Sequence, residues 1–475
     1  MFIKKGIMQN YLLKNCLVVN EGSIAANDVL IVNGRIEKIA ASIQSTSSIT
    51  EINAEGKYLF PGAIDDQVHF REPGLTHKAN IYTEAKAAVA GGVTSFMEMP
   101  NTIPNALNLE LLEDKYSLAA QSSLANYSFY MGTSNQSADD TLKANDFKND
   151  LCGIKIFMGA STGNMLVDNY NTLDKVFRES EMLIATHCES ETIIKENYER
   201  LKAEKGELSA ADHPLIRSVD ACYESSLMAI QIARQYNTRL HILHISTAKE
   251  LELFGNMMPL KEKRITNEVC VHHLHFTADD YATLGYRIKC NPAIKSKENK
   301  EGLWKALLDD RIDVIATDHA PHTLEEKGLI RNSEGVLSPS PLERDGVRSG
   351  HSYEHAHAGL PLVQHPLLLM LHYYKEGRIS LEKIAEKMSH AVADCFQIKE
   401  RGYIREGFHA DLVLVDLHQT SIVSKENILY KCGWSPLEGF TFPASITHTF
   451  VNGHLVYANG TIDESHKGQR LKFVR

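Results

Sequence analysis

The chain has 475 residues, a formal net charge of -10 and 43% hydrophobic residues, which fits one barrel-sized domain plus a smaller one. No run of Lys or Arg stands out, so we expect no nucleic-acid partner. No stretch reaches the roughly 18 unbroken apolar residues of a membrane span, so we expect no membrane partner. The eight cysteines are scattered without Cys-x-x-Cys pairs, which is typical of reduced thiols in a cytoplasmic protein.

Short β-type runs occur at both ends of the chain. Near the start, two such runs flank Asn33-Gly34, a dipeptide that favours a hairpin turn. Near the end, Asp411–Asp416 and His448–Tyr457 show the same strand and Asn-Gly pattern. We therefore expect a small β-domain formed from both termini, residues 1–60 and 405–475.

Between these ends, residues 61–404 alternate apolar strand candidates with helical patterns such as Asn80–Ala90 and Ser218–Tyr236. Eight strands separated by helices predict an α/β fold, a (β/α)8 TIM-like barrel. The strand candidates are Ala63–Phe70, Val93–Met99, Tyr127–Met131, Gly153–Phe157, Met182–Thr186, Leu240–Ile245, Ile265–Val271 and Ile312–Ala316.

An irregular insertion at about residues 327–357 interrupts this rhythm. It is rich in Ser, Pro, Gly and charged residues, and so long a loop in a barrel is either a functional lid or a disordered insertion. We interpret His351, His355 and His357 in this loop as solvated surface residues.

The first strand candidate lies in the run Pro61–Gly74, PGAIDDQVHFREPG, and ends in polar residues. Gln67 and His69 project from the same face of the strand, and Arg71 lies in the turn beyond it. Active sites of such barrels gather at the carboxyl ends of the strands, so we expect substrate chemistry here.

Metal-capable residues occur on or at the ends of other strand candidates as well. Neutral imidazole and carboxylate suit zinc, and ligands drawn from several strands can leave a coordination position open for water. A bound divalent cation lowers the pKa of such water towards neutrality. The candidate ligands are His69, Lys155, His187, His244 and Asp318.

Lys155 has two interpretations that the residues alone leave open. It is either a lysine that extends its amine past the core, or a deprotonated lysine that has taken up carbon dioxide. The resulting carbamate offers two oxygens and can bridge two cations. We interpret His272 and His273 as packing or hydrogen-bonding residues. We expect His319 to face away from the site, because it is next to Asp318 on the same extended segment.

Several short motifs follow Pro61–Gly74 along the barrel. They are Met99–Thr102, Gly153–Gly159, Thr186–Glu189, Leu243–Ser246, Asn291–Ala293 and Thr317–His322. In this order they resemble the dihydroorotases of the amidohydrolase superfamily. The resemblance implies a metal-dependent hydrolase that interconverts dihydroorotate and N-carbamoyl-aspartate in pyrimidine biosynthesis.

The resemblance also implies roles for individual residues. His69, carboxylated Lys155 and Asp318 would hold one Zn²⁺, and the carbamate with His187 and His244 would hold a second. Asp318 would also be the catalytic general base and acid. The substrate-binding residues would be Arg71, Asn101, His322 and Asn291, of which the first three would hold the substrate carboxylate and Asn291 the polar edge of the ring.

One residue departs from the family pattern. The first-strand motif of the superfamily is normally His-x-His, and this chain has Gln67 at the first position. A neutral amide is a poor zinc ligand, so we expect two metals per chain with one held weakly, and Gln67 is a doubtful ligand. Family habit further suggests a homodimer.

Two alternatives remain open at this point. A hydantoinase, dihydropyrimidinase or allantoinase would share barrel, metals and carbamate, but its substrate lacks the ring carboxylate that Arg71 and Asn101 would bind. A non-catalytic dihydroorotase homologue that acts as a scaffold is motivated by Gln67, although the other ligand candidates are retained.

Overall fold

The N-terminal strands form an antiparallel hairpin series beside the barrel. The computed structural model describes residues 9–159, 165–331, 337–339 and 353–475. Within the first part, β1 pairs with β2 and β2 with β3, all antiparallel, while β4 and β5 pair with β1 in parallel. These strands are β1 (Asn10–Asn20), β2 (Ser23–Val32), β3 (Arg35–Ala40), β4 (Ile49–Asn53) and β5 (Tyr58–Pro61).

Parallel strands then form the barrel, and each of the eight predicted strands is found. The third is interrupted at Tyr130, which separates two short segments. The strands are β6 (Ala63–Val68), β7 (Val93–Glu98), β8 (Asn126–Phe129), β9 (Met131–Gly132), β10 (Ile154–Phe157), β11 (Ile184–His187), β12 (Leu240–Ile242), β13 (Ile265–Cys270) and β14 (Val314–Ala316).

Helices connect the barrel strands and follow them. The predicted helix start at Asn80 is confirmed, because the Asn80 side chain accepts from Thr83 N and caps the first helix. Ser218 caps its predicted helix in the same way. The helices are α1 (Ile81–Ala90), α2 (Leu109–Ser122), α3 (Ala138–Leu142), α4 (Tyr170–Glu179), α5 (Glu191–Lys205), α6 (His213–Ile216), α7 (Val219–Tyr236), α8 (Val271–His275), α9 (Tyr281–Leu284), α10 (Lys297–Leu308), α11 (Pro366–Lys375), α12 (Leu381–Ala385) and α13 (Ala391–Phe396).

The barrel closes between its first and last strands. His69 N donates to His319 O at 2.7 Å, and Val68 forms a parallel bridge with His319. This closure brings the end of β6 next to the segment after β14. Residues distant in sequence, such as His69 and Asp318, therefore become neighbours.

The predicted insertion is described only in part. Strands β15 (Leu329–Arg331) and β16 (Leu337–Pro339) form an antiparallel pair. Residues 332–336 and 340–352, with His351, lie outside the described residues. A lid or a disordered insertion at 327–357 therefore stays a prediction.

The C-terminal strands complete the N-terminal sheet, which confirms a β-domain formed from both ends. β17 pairs antiparallel with β5, and the sheet order is β22-β21-β20-β17-β5-β1-β2-β3, with β4 beside β1. The division into residues 1–60 with 405–475, and 61–404, stays our proposal for the domain boundaries. The last strands are β17 (Leu412–Asp416), β18 (Ser421–Ile422), β19 (Thr441–Phe442), β20 (Ser445–Val451), β21 (His454–Ala458) and β22 (Thr461–Ile462).

The two Asn-Gly turns are hairpins, as the dipeptides indicate. Asn33 and Gly34 have φ of 50° and 82°, and Asn452 and Gly453 have φ of 51° and 74°. Left-handed backbone at both central residues is what the tight hairpin turn requires. None of the described helices has the length and apolar character of a transmembrane span.

Candidate active site

One cavity of ≈ 250 Å³ contains every residue that the sequence nominates for a site. Several barrel strands contribute to it, so residues far apart in the chain meet at the carboxyl ends of the strands, as expected for this architecture. The nominated residues that line it are Gln67, His69, Arg71, Asn101, Lys155, His187, His244, Asn291, Asp318 and His322.

Three of these residues have strained backbone. Arg71, His244 and Asp318 have φ of 69°, 41° and 47°. Left-handed backbone costs a residue other than glycine about 1–3 kcal/mol, and such residues cluster at functional sites. The sixth strand was predicted to reach Ile245 but ends at Ile242, because the chain turns at His244 to aim its ring into the cavity.

His187 and His244 form one side of the cavity. Nδ1 of His187 lies 2.9 Å from Nε2 of His244. Nε2 of His187 lies 3.0 Å from Oε2 of Glu189, which also accepts from Arg217. Nε2 makes no hydrogen bond of good geometry among the described residues, but the negative charge beside it favours the His187 hydrogen on Nε2 and leaves the Nδ1 lone pair for the cavity.

The charge of Glu189 is secured by its partners. Burial favours its neutral form, but Arg217 and His187 outweigh burial and lower the pKa of Glu189 to about 2. Burial, with His187 and Lys155 nearby, holds the pKa of His244 well below its usual value. A neutral His244 can offer a lone pair to a cation.

Lys155 has an amine without a hydrogen-bond partner among the described residues. Its side chain is 1% exposed, and burial lowers the pKa of Lys155 to about 7. Part of the population is therefore the neutral amine at neutral pH, the form that can react with carbon dioxide. The environment fits a carbamate and disfavours an amine that reaches solvent.

His69 and Asp318 form the opposite side. Nδ1 of His69 lies 2.8 Å from Oδ1 of Asn101, and Nε2 lies 3.2 Å from Oδ1 of Asp318. Because an amide oxygen only accepts, Nδ1 carries the hydrogen, and burial lowers the pKa of His69 and favours the neutral ring. A lone pair of His69 Nε2 therefore faces Oδ1 of Asp318, which also accepts from Nε2 of Gln67 at 3.2 Å.

Taken together, both sides fit a divalent cation. Imidazole nitrogens and carboxylate oxygens converge from several strands, and an unpartnered amine lies among them.

A cationic group flanks these ligands. The side chain of Arg71 is 4% exposed, and its Nε donates to Pro321 O at 3.1 Å. Its Nη2 lies 3.1 Å from Nε2 of His322. On the far side, Nδ1 of His322 lies 3.1 Å from Nζ of Lys78, which donates to Glu326 at 2.9 Å. Burial, followed by Arg71, holds the pKa of His322 well below its usual value, so His322 is neutral.

A second polar cluster lies buried in the barrel. Nε2 of His241 lies 3.2 Å from Oδ2 of Asp66 and 3.4 Å from Oε2 of Glu268, and all three side chains are fully buried. Burial opposes a charged ring, but the two carboxylates outweigh it and raise the pKa of His241 to about 9. Oε1 of Glu268 accepts from His244 N at 3.0 Å, so this cluster also holds the backbone of a cavity residue.

Sequence reasoning missed some of these supporting residues. Glu189 follows His187 by two positions inside a quoted motif, and that spacing could have suggested its role. Arg217 and Glu268 carry no such signal, because folding alone brings them to the site. His357 was interpreted as a solvated surface residue, and it is exposed. Sequence reasoning did not show that it also lines the cavity, with its ring 4.8 Å from that of His322.

The histidines that were set aside do lie outside the cavity. Nε2 of His319 pairs with Glu84 at 2.8 Å, and its Nδ1 accepts from Leu362 N and Val363 N. Nε2 of His273 lies 3.1 Å from Pro292 O. His319 therefore points away from its neighbour Asp318, as predicted.

Known proteins resemble this chain over nearly its whole length. A dihydroorotase from Methanothermobacter thermautotrophicus is 29% identical over 465 residues, 95% of each chain. An allantoinase from Desulfitobacterium hafniense is 29% identical over 470 residues, 97% of this chain and 98% of that protein. The solved structure of an L-hydantoinase from Arthrobacter aurescens superposes with a TM-score of 0.86 at 25% identity, over 98% of this chain and 100% of that one.

The family profile gives the same result. Residues 58–456 match the profile of the Amidohydrolase family, whose members depend on metal ions, and this span holds the whole barrel and every nominated site residue. The protein therefore belongs to the amidohydrolase family.

Proposed function

We propose that this amidohydrolase is a dihydroorotase, which reversibly hydrolyses the cyclic amide of (S)-dihydroorotate to N-carbamoyl-L-aspartate. The observation that carries the proposal is the buried Arg71 beside the metal-type side chains. Dihydroorotate carries a carboxylate on its ring, and a buried guanidinium is the group best suited to bind one.

The surroundings of Arg71 support this role. Burial lowers the pKa of Arg71 to about 10, so the group remains a cation at neutral pH. Its described hydrogen bonds use Nε and Nη2, and Nη1 can donate to an anion. Asn101 lines the same cavity, and because its Oδ1 faces Nδ1 of His69, its amide nitrogen can donate to the second carboxylate oxygen. We propose that His322 contributes by accepting from Nη2 of Arg71 and so orienting the guanidinium. Asn291 lines it too, with Oδ1 3.1 Å from Nε2 of His213, and we propose that it contacts the ring.

The proposed chemistry needs a base and an acid on one residue. Asp318 follows the last barrel strand, is 7% exposed, and lines the cavity with its Oδ1 3.2 Å from Nε2 of His69. We propose that it accepts a proton from the attacking water and returns it to the ring nitrogen as the amide bond breaks. A divalent cation, Zn²⁺ in our proposal, supplies polarisation of the amide carbonyl and a lowered pKa for water. Lys155 as carbamate, His69, His187, His244 and Asp318 would hold up to two such cations, one of them weakly.

A cyclic amidase for uncharged rings is the second candidate. The allantoinase and L-hydantoinase relatives favour it, because this chain matches them over nearly the same length as it matches dihydroorotases. Such an enzyme has no need for a buried cation at the position of Arg71. A scaffold without activity is the third candidate, and the converging unpartnered ligand atoms argue against it.

Hydrolysis assays on a panel of rings test the proposal. Purified protein loaded with Zn²⁺ is given dihydroorotate, hydantoin, dihydrouracil and allantoin, and we expect turnover of dihydroorotate alone. Turnover of an uncharged ring in its place would favour the second candidate. No turnover of any ring would favour a scaffold and would make its partner the next target.

Substitution of Arg71 tests the carboxylate assignment. We expect Arg71→Ala to raise KM for dihydroorotate about 10- to 100-fold, because hydrogen bonds to a charged group are lost. The control is Arg200→Ala, since the Arg200 side chain is 53% exposed on α5. An unchanged KM in Arg71→Ala would reject the assignment.

A further inference from the structure

Gln67 occupies a place that a metal ligand would need, but its amide is already used. Its Nε2 donates to Oδ1 of Asp318 at 3.2 Å, and its Oε1 accepts from Sγ of Cys270 at 3.7 Å. The orientation follows from chemistry, since an ionised carboxylate only accepts and a thiol hydrogen needs an acceptor. Gln67 is 2% exposed, so solvent does not replace these partners.

The two sides of the cavity are therefore unequal. On the His69 side, Gln67 presents N–H groups to the carboxylate oxygen that a cation would take. On the opposite side, His187 and His244 bring two imidazole nitrogens within 2.9 Å of each other. Glu189 supports the first ring and Glu268 the backbone of the second.

We propose that the chain holds one cation tightly, on the side of His187 and His244, and that Gln67 is a positioning residue for Asp318. The Gln67 amide holds the Asp318 carboxylate by a hydrogen bond, at the place where a cation shared with His69 would bind. Loss of an outer supporting group already weakens metal binding about 10- to 100-fold, so loss of a direct ligand makes the second cation at least about tenfold weaker.

Metal counting tests this inference without any substrate. Chelator-treated protein is titrated with Zn²⁺ by calorimetry, and its zinc is measured by mass spectrometry after dialysis. We expect one tight equivalent in the wild type and two in Gln67→His. The matched control is Gln364→His, because Gln364 is a buried glutamine that hydrogen-bonds to Asn427 O and Leu429 N away from the cavity. We expect this control variant to bind one tight Zn²⁺ equivalent, as the wild type does.

Two tight equivalents in the wild type, or one in a folded Gln67→His, would overturn the inference. If Gln67→His fails to fold, the electron paramagnetic resonance spectrum of Mn²⁺ bound to the wild type tests whether the chain holds one cation or two. Isolated Mn²⁺ gives a six-line electron paramagnetic resonance spectrum, as we expect at saturation of the tight site, whereas a spin-coupled pair would overturn the proposal.

Kinetics test the positioning role and rest on the proposed function. We expect Gln67→Ala to lower kcat for dihydroorotate about tenfold or more, with KM and the single zinc unchanged, because one hydrogen bond to a charged group is lost. An unchanged kcat would remove Gln67 from the positioning role. Failure of dihydroorotate turnover with one zinc bound would reject the proposed function and leave the metal count standing.

Discussion

Two histidine and carboxylate clusters lie in this barrel, and they differ in whether a counter-charge and a cavity are beside them. The lower cluster of Asp66, His241 and Glu268 is fully buried and contains its own counter-charge, because the His241 ring lies within 3.4 Å of both acidic side chains. The cavity above it leaves Lys155 Nζ and His244 Nδ1 without partners among the described residues. Both clusters share residue types, and both leave buried polar atoms without partners among the described residues. Access to a cavity is therefore what distinguishes a site for a ligand from a structural ion pair.

The largest expected effect is on the turnover rate, and it comes from Asp318 in the candidate active site. Asp318→Asn keeps the shape of the side chain but removes its ability to accept and return a proton. We expect kcat for dihydroorotate to fall about 10²- to 10⁴-fold, the usual contribution of a general acid or base. Steady-state kinetics check the rate, and denaturation of the same variant should show no loss of stability. A variant with wild-type kcat would contradict the role of Asp318.

The next effect is on stability, in the lower cluster. His241→Leu removes the cation between Asp66 and Glu268, and breaking a buried ion pair in this way costs about 3–5 kcal/mol. Denaturant unfolding of metal-free protein measures the change. The control is Asp220→Asn, which breaks an exposed pair with Lys249 and should leave the midpoint where it is. Equal stability of His241→Leu and wild type would show that the lower cluster is not an ion pair.

The smallest effect is the pH dependence of folding stability that His241 in the lower cluster produces. The pKa of His241 is about 9 in the folded chain and 6.5 when unperturbed, so between these values the folded chain binds more protons than the unfolded chain. Its contribution is fully present below pH 6.5 and is lost as the pH rises through about 9, which amounts to at most about 3 kcal/mol.

Unfolding of metal-free wild type and His241→Leu at several pH values measures this dependence. We expect the stability difference between the two proteins to narrow from pH 6.5 to pH 9. A difference that stays constant over this range would mean that His241 is not charged in the folded protein.

The barrel was predictable because its signals are local. Apolar runs of strand length, caps such as Asn80 and Ser218, and the Asn33-Gly34 turn each act on neighbouring residues, and these predictions are confirmed. Strand ends were less predictable. The sixth strand stops at Ile242 because Glu268 accepts from His244 N, a contact between residues 24 positions apart.

The sequence by itself determined which residues reach the carboxyl end of the barrel, because the apolar runs and the polar residues that follow them are local features. Only the tertiary structure decided how those residues are supported. Glu189 with Arg217 holds the tautomer of His187, and the amide of Gln67 is committed to Asp318 and Cys270. These partners lie up to 251 positions apart. Barrel closure is what brings Gln67 within hydrogen-bond distance of Asp318 and Cys270, and no local pattern records it.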